Sequence, residues 1–87
     1  MKIEITNDFL KQLTRALKRE VAPGFYCYIS DISVNFLDGV FYTIDVNWGS
    51  DKHKVYHTSE LCFDEKDTIE FIRGRFAESV YRTECEE

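Results

Sequence analysis

Residues 25–48 read FYCYISDISVNFLDGVFYTIDVNW, two apolar-rich runs on either side of the tripeptide LDG at positions 37–39. Both runs are rich in aromatic and β-branched residues, which favour strands. Within each run large apolar residues alternate with other residues, and in the first run Ser30 interrupts the alternation. Because successive side chains of a strand point to opposite faces, the pattern predicts a β-hairpin in which each strand has one apolar face.

The register of this hairpin follows from matching the two apolar faces. A three-residue loop pairs Val34 with Tyr42 and Ile32 with Ile44, apolar on apolar. A two-residue loop would slip the register by one and place apolar side chains beside polar ones. We therefore predict the three-residue loop, with Gly39 in the left-handed conformation that closes such a turn.

A second group of bulky residues falls between the apolar positions of the hairpin and predicts a partly covered second face. The group comprises Phe25, Cys27, Ile29 and Phe41. If that face is exposed, it is a candidate surface for self-association. A structural homo-oligomer that assembles through its sheet face is therefore one alternative function.

Helical spacing of apolar residues predicts one helix before the hairpin and one after it. The first helix covers about residues 7–21, with Thr6 or Asn7 as its N-cap and a stop at Pro23-Gly24. The second helix follows Asp64, which resembles an N-cap. Its predicted buried stripe consists of Ile69, Ile72, Phe76 and Val80.

A weaker third strand is predicted at residues 53–59, and residues 61–63 are interpreted as a connector. Residues 1–5 fit either an edge strand or a lead-in to the first helix. The predicted class is therefore α+β, in the order α-β-β-β-α. We expect a three-stranded antiparallel sheet with both helices packed on one face.

Length and composition predict one small domain spanning residues 1–87. Apolar residues make up 44% of the chain and aromatic residues 15%, which argues against disorder. No apolar run approaches the ~20 residues that span a bilayer. The first residues lack the apolar core of a signal peptide, so we expect a cytoplasmic protein whose three cysteines are free thiols.

The net charge of −5 argues against general affinity for nucleic acid. Residues 1–24 have five Lys or Arg and three Asp or Glu, whereas residues 25–87 have six and thirteen. The first helix therefore has a locally basic face, and the rest of the molecule is acidic.

The element order resembles that of the double-stranded-RNA-binding domain, which shares the α-β-β-β-α sequence. That family binds RNA with a basic cluster at the start of its second helix. The corresponding segment here is Asp64-Glu65-Lys66-Asp67, which presents carboxylates where the phosphates of RNA require cations. The resemblance implies the fold and transfers no functional residue.

One alternative site combines His53, His57 and Cys62 as zinc ligands or as a thiol and its base. On a strand the two histidines lie about 13 Å apart, at ~3.3 Å per residue. That is too far for two ligands that must each come within ~2 Å of one ion. A cysteine between Leu61 and Phe63 is more typical of a core. The four glycines are scattered singly along the sequence, so it contains no glycine-rich phosphate-binding loop. We therefore predict no enzyme activity, metal or cofactor.

The acidic surface is the main functional candidate. Carboxylates offer Arg and Lys the same anionic oxygens as phosphates. We therefore expect a small non-catalytic protein that binds another protein, including a nucleic-acid-binding one, as phage-type inhibitors that mimic nucleic-acid charge do. Solubility alone is the competing explanation of the charge. The predicted partner-binding residues are Asp38, Asp45, Asp64, Glu65, Asp67, Glu70 and Phe71.

Aromatic residues are further candidates for such an interface. They are Tyr26, Phe41, Trp48, Phe71 and Tyr81. Phe71 lies off the apolar stripe of the second helix, so we predict that it is exposed or covered by a partner.

Overall fold

The structure, a computed structural model, describes residues 5–36 and 39–85, with the backbone alone at residue 85. Its elements follow the predicted order α-β-β-β-α, and the strands form one antiparallel sheet in the order β1-β2-β3. Both helices pack on one face of this sheet, so the predicted fold class is confirmed. The elements are α1 (Asn7–Lys18), β1 (Tyr26–Asn35), β2 (Phe41–Ser50), β3 (Val55–Asp64) and α2 (Ile69–Cys85).

The predicted hairpin register is confirmed near the turn. Val34 lies opposite Tyr42, and Ile32 lies opposite Ile44. Gly39 has a φ of +126°, a conformation that favours glycine. The remaining loop residues, 37 and 38, lie outside the described residues, as do residues 1–4 at the predicted edge strand or lead-in.

A β-bulge in β1 changes the face of half of the strand. The register shifts between Ile29 and Asp31, so that Ile29 pairs with Val46 and Cys27 with Trp48, both on the helix side. The prediction that Cys27 and Ile29 lie on a second, outer face is therefore wrong. A bulge places two residues opposite one, and this reverses the alternation at Ser30.

The core lies between the sheet and the two helices. Trp48 is 1% exposed and packs its indole ring against His57 (4.5 Å between ring centroids) and edge-on against Phe76 (6.2 Å). Its indole N–H donates to Ser59 Oγ at 3.0 Å, and this hydroxyl lies 2.8 Å from Ser79 Oγ on α2. Trp48 is therefore a core residue, and its prediction as an interface aromatic is wrong.

The first helix begins as predicted and ends earlier. Thr6 is its N-cap, and its Oγ1 accepts a hydrogen bond from the N–H of Phe9 at 3.1 Å. Leu13 and Leu17 are fully buried against the sheet. The helix ends at Lys18 rather than at residue 21.

The third strand and second helix both have boundaries that differ from the prediction. Strand β3 continues to Asp64, and the alternation that buries Leu61 and Phe63 leaves Cys62 exposed. Helix α2 begins at Ile69, after Thr68, whose Oγ1 accepts from the N–H of Phe71 at 3.2 Å. Asp64 is therefore not the N-cap, and Cys62 is not a core residue.

The buried stripe of α2 agrees with the prediction at Ile72, Phe76 and Val80, which are at most 4% exposed. Within the described part of the chain, neither helix is long and apolar enough to cross a membrane.

Candidate functional site

One face of the sheet is covered by the helices, and no described element covers the other, which we call the open face. Most of its side chains on the edge strands are exposed, and those on the central strand are half-buried. The open face is polar along most of its length, with aromatic residues at either end. Its residues are Tyr26, Tyr28, Asp31, Ser33, Asn35, Phe41, Thr43, Asp45, Asn47, Tyr56, Thr58, Glu60, Cys62 and Asp64.

Three carboxylates lie side by side across the middle of the open face. Asp31 of β1 is directly opposite Asp45 of β2, and Asp45 is directly opposite Glu60 of β3. We call these three residues the carboxylate row. Neighbouring strands are ~4.8 Å apart, so the row places a like charge directly beside Asp45 on both sides. Like charges in directly opposed positions destabilise a sheet.

The rows around the carboxylates are hydrogen-bonded across the strands. Thr58 Oγ1 donates to Asn47 Oδ1 at 2.7 Å, and Asn35 Nδ2 donates to Thr43 Oγ1 at 3.3 Å. Thr43 Oγ1 also lies 3.5 Å from Cys62 Sγ. In contrast, no described residue gives a carboxylate of the row a cation or a hydrogen-bond donor. The row is therefore unpaired within the described parts of the chain, with Asp31 and Glu60 exposed and Asp45 half-buried.

Across residues 5–36 and 39–85, no group of three or more His, Cys, Asp or Glu side chains is placed to hold a metal ion. A row of carboxylates on separate strands presents its oxygens side by side, which suits an extended set of cationic groups on a partner.

Tyrosines occupy one end of the open face. Tyr28 and Tyr56 are 51% and 54% exposed, and the ring of Tyr26 lies 5.8 Å from that of Tyr28. The hydroxyl of Tyr56 donates a hydrogen bond to the carboxylate of Asp51, and this bond raises the pKa of Tyr56. Burial raises the pKa of Tyr26, with the charge of Asp51 as a further cause. Both phenols therefore remain neutral at physiological pH.

Two of the predicted acidic residues at the connection between β3 and α2 have a structural role. The N–H of Asp64 donates to Asp67 Oδ2 at 2.9 Å, and the N–H of Lys66 donates to Asp64 Oδ1 at 2.8 Å. Each carboxylate thus fixes the turn through the backbone of its neighbour. Glu65 is half-buried beside them. These residues do lie together, at the edge of the sheet.

Glu70 and Phe71 lie on the outer surface of α2, on the helix side of the sheet. Phe71 is 50% exposed, which agrees with its position off the buried stripe. Glu70 accepts from Nε of Arg73 at 2.9 Å, and the same guanidinium donates to Glu20 Oε1 at 2.6 Å. Glu70 therefore belongs to an ion-pair network, centred on Arg73, that connects α2 to the turn after α1.

The predicted partner-binding residues thus occupy separate surfaces. Of the seven, Asp45 alone lies in the carboxylate row, and Asp38 lies outside the described residues. Asp31 and Glu60, the other two members of the row, are not in the predicted set. The signal for Asp31 was available, because the predicted hairpin register already places it near Asp45. Glu60 was missed because the third strand was predicted to end at residue 59.

The alternative site of His53, His57 and Cys62 does not form. His53 lies in the turn before β3, and its ring is 5.9 Å from that of Phe25. His57 lies on the helix side of β3 against Trp48, whereas Cys62 lies on the open face. Strand β3 pairs with β2 without a bulge, so an odd and an even position on it point to opposite faces.

Comparison with protein-family models, curated proteins and solved structures found no match to this chain. The likeness to the double-stranded-RNA-binding domain is therefore one of element order alone.

Proposed function

We propose that this chain is a non-catalytic protein that binds a basic surface of another protein through its open face. The carboxylate row supports the proposal: three acidic side chains directly opposite one another, with no cationic partner among the described residues. Arg and Lys side chains bind carboxylates through charge-assisted hydrogen bonds. A basic surface would therefore pair all three carboxylates at once.

The arrangement costs stability, which argues against solubility as its only role. Acidic residues scattered over a surface maintain solubility equally well without direct repulsion. Departures from local sheet rules are expected where a surface has a function, because the cost is then offset on binding. The exposed tyrosines Tyr28 and Tyr56 add contact area beside the charges.

The partner class that fits this charge is a protein with a phosphate-binding surface. Such a surface presents Arg and Lys groups to anionic oxygens, and carboxylates supply the same oxygens. The chain would then compete with nucleic acid for its partner, as acidic inhibitors do. A cytoplasmic location agrees with the free thiols of Cys27 and Cys62.

Self-association through the sheet face fits the geometry less well. Cys27 is 8% exposed and belongs to the core, and Phe25 and Ile29 pack against that core, so they do not form an apolar patch on the open face. A twofold dimer through this face would bring one carboxylate row against another. Repulsion between the rows would oppose such a dimer, whereas a basic partner would remove it.

The test is an affinity capture from native lysate with three baits. The first is the wild-type chain, and the second neutralises the row with Asp31→Asn, Asp45→Asn and Glu60→Gln. The third is a control that removes two exposed acids elsewhere, on α2, with Glu78→Gln and Glu84→Gln. We expect the wild type and the control to retain a basic protein that the row variant loses and that high salt releases.

Three results would contradict the proposal: retention by the row variant, capture that is equal in 1 M salt, or binding only of a second copy of the chain. The turn acids Asp64 and Asp67 are unsuitable as targets for this test. Their substitution would remove backbone hydrogen bonds and so alter the turn itself.

A further inference from the structure

Strand β1 lies at one edge of the sheet, so its outer backbone groups can pair only with a chain from outside the sheet. It pairs with β2 alone, and no residue in the described ranges hydrogen-bonds the outer N–H and C=O groups of residues 31–35. The bulge at Ser30 ends this segment on one side, and the hairpin turn ends it on the other. We call the outer backbone of residues 31–35 the β1 edge.

The β1 edge lacks the devices that usually prevent such a segment from pairing. Exposed edges in native proteins are commonly protected by lysine, proline or a covering element. Residues 31–36 read DISVNF, without lysine or proline, and Ser33 and Val34 are exposed. In the strand at the other edge, the backbone carbonyl of Cys62 accepts a hydrogen bond from Nη1 of Arg75 on α2 at 3.3 Å. No described side chain makes a comparable contact with the β1 edge.

Apolar side chains along the β1 edge extend beyond the cover of the helices. Ile32 and Val34 occupy the helix-side positions opposite Ile44 and Tyr42. Ile32 packs against the core, but Val34 is 47% exposed and Phe36, after the strand, is 77% exposed. A strand added here would bring a side chain beside Val34, because directly paired residues share a face. The β1 edge thus offers backbone hydrogen bonds and apolar contact together.

We infer that the β1 edge binds an extended segment of the basic partner as a fourth strand, an inference that rests on the proposed function. A helix bonds its own backbone groups internally, so only an extended chain can pair with this edge. On the open face, the partner residue opposite Asp31 adds a fourth position to the carboxylate row, ~4.8 Å from Asp31. Asp31 is the only charged residue within residues 31–35, so an Arg or Lys belongs at that position.

The alternation of β1 specifies the sequence pattern of the partner segment. Residues opposite Ile32 and Val34 lie on the helix side and should be apolar. Those opposite Ser33 and Asn35 lie on the open face, where threonine or serine suits the polar rows. The segment therefore has five residues, with a cation at one end and alternate apolar and polar residues after it.

A second copy of this chain fits the β1 edge less well. Two antiparallel β1 strands related by a twofold axis would place both helix layers on the same side of the joined sheet. Helix α1 packs against β1, so the two copies of α1 would lie near each other. Their exposed cations would then repel; these are Lys11, Arg15, Lys18 and Arg19.

The experiment uses a capped peptide that contains Thr-Val-Thr-Val-Arg, which places arginine opposite Asp31 in an antiparallel pair, the more stable arrangement. Binding to the full chain is followed by amide NMR titration and hydrogen exchange. We expect alternate amides of residues 31–35, those of the outer edge, to exchange rapidly in the free chain and slowly in the complex. Replacing the arginine by glutamate should weaken binding about two- to thirtyfold, the factor for exchanging an opposite-charge pair for a like-charge pair.

N-methylation of the peptide tests for main-chain pairing. Of the two sets of alternate residues in a strand, only one has N–H groups that face β1. Methylating two residues of that set removes two hydrogen bonds and should weaken binding about five- to hundredfold. Methylating two residues of the other set is the matched control and should leave binding unchanged.

A substitution in the chain then locates the site. Val34→Lys places a lysine at the β1 edge and should weaken binding of the arginine peptide by about fivefold or more. Tyr56→Lys is the control, because Tyr56 is 54% exposed on the other edge strand and receives the same charge. Should Val34→Lys fail to fold, the methylated peptides test the same edge on the unaltered chain.

Binding that is insensitive to both sets of methyl groups, or equally weakened in the Val34→Lys and Tyr56→Lys variants, would overturn the inference, as would absence of binding. The proposed function would survive these results if the lysate capture still depends on the carboxylate row. Methyl-sensitive binding that is equal for the arginine and glutamate peptides would overturn both, because the row would then attract no cation. Protection of the edge amides in a dimeric free chain would assign the edge to a second copy and overturn the inference.

Discussion

Replacing Asp45 by asparagine is expected to stabilise the domain, although it alters a side chain in the central strand of the sheet. Asp45 is directly opposite Asp31 on one side and Glu60 on the other, and no described residue neutralises any of the three. Asparagine keeps the size of the side chain and removes its charge. The substitution therefore relieves two repulsive pairs and leaves the packing of β2 unchanged.

The expected gain follows from the register. A directly opposed pair of like charges destabilises a sheet by about 0.2–1 kcal/mol. Asp45 takes part in two such pairs and each outer carboxylate in one. Asp45→Asn should thus raise the free energy of unfolding by about 1 kcal/mol, and Asp31→Asn or Glu60→Gln by about half as much. For a domain of 87 residues, a gain of 1 kcal/mol corresponds to about 4–8 °C in Tm.

Urea unfolding followed by the fluorescence of Trp48 measures the effect, since this buried indole becomes exposed on unfolding. The series should be repeated at 0.05 M and 1 M NaCl. The Debye length falls to ~3 Å at 1 M salt, so the gain should shrink there. Glu78→Gln on α2 is the control, because its helical neighbours Arg75 and Arg82 are cations.

Equal gains at all three positions would refute the reasoning, because the central residue must benefit most from relief of pairwise repulsion. A gain that persists in 1 M salt would refute it as well. If Asp45→Asn instead has no effect on stability at low salt, the carboxylates do not repel one another, and the main support for a functional surface is lost.

Three further predictions concern the core and the backbone. Ser59→Ala removes the acceptor of the buried Trp48 indole N–H and should cost about 1–3 kcal/mol in urea unfolding; a loss below 0.5 kcal/mol would contradict this. Gly49→Ala should cost more than about 1 kcal/mol, whereas Gly74→Ala, where an added Cβ meets nothing within 4 Å, should stabilise α2 by up to ~1 kcal/mol in the same assay. Burial raises the pKa of the Cys27 thiol from 9.0 to about 11, so the unfolded chain releases its proton first as the pH rises. The free energy of unfolding should fall by about 2 kcal/mol between pH 9 and 11, and Cys27→Ala should flatten that fall.

Much of the fold could be predicted because its signals are local and repeated. Alternation near the turn predicted the pairing of Ile32 with Ile44, because a one-residue shift in register would have exposed the apolar side chains of the strand. The stripe of α2 was evident from the spacing of Ile72, Phe76 and Val80. Both patterns repeat several times, so one irregular residue does not hide them.

The errors occurred where the pattern changes within an element. Ser59 is a polar residue on the helix-facing side of β3, so it interrupts the apolar alternation of that strand. The buried odd positions nevertheless continue through Leu61 to Phe63. Asp64 and Thr68 are both acceptable N-caps by residue type, and only the end of β3 decides between them.

Only part of the candidate site could be predicted. The charge of a residue can be read from the sequence, but its neighbours on adjacent strands cannot. Asp45 was predicted for its charge. Its neighbours in the row, Asp31 and Glu60, are set by the pairing of β2 with β1 and with β3. The pairing with Glu60 could be predicted only if the full length of β3 were known.

The bulge at Ser30 reverses which residues of β1, odd-numbered or even-numbered, face the helices; we call this the parity of the strand. Before it, odd positions such as Cys27 face the helices; after it, even positions such as Ile32 do. Removing Ser30 would restore a single parity and leave every other side chain on its present face, because Ile29 and Asp31 already lie opposite the consecutive residues Val46 and Asp45. The aromatic end of the binding surface thus depends on the bulge itself: a strand of unchanged length paired without it would turn Cys27 outward and Tyr26 and Tyr28 inward, whereas deletion of Ser30 would not.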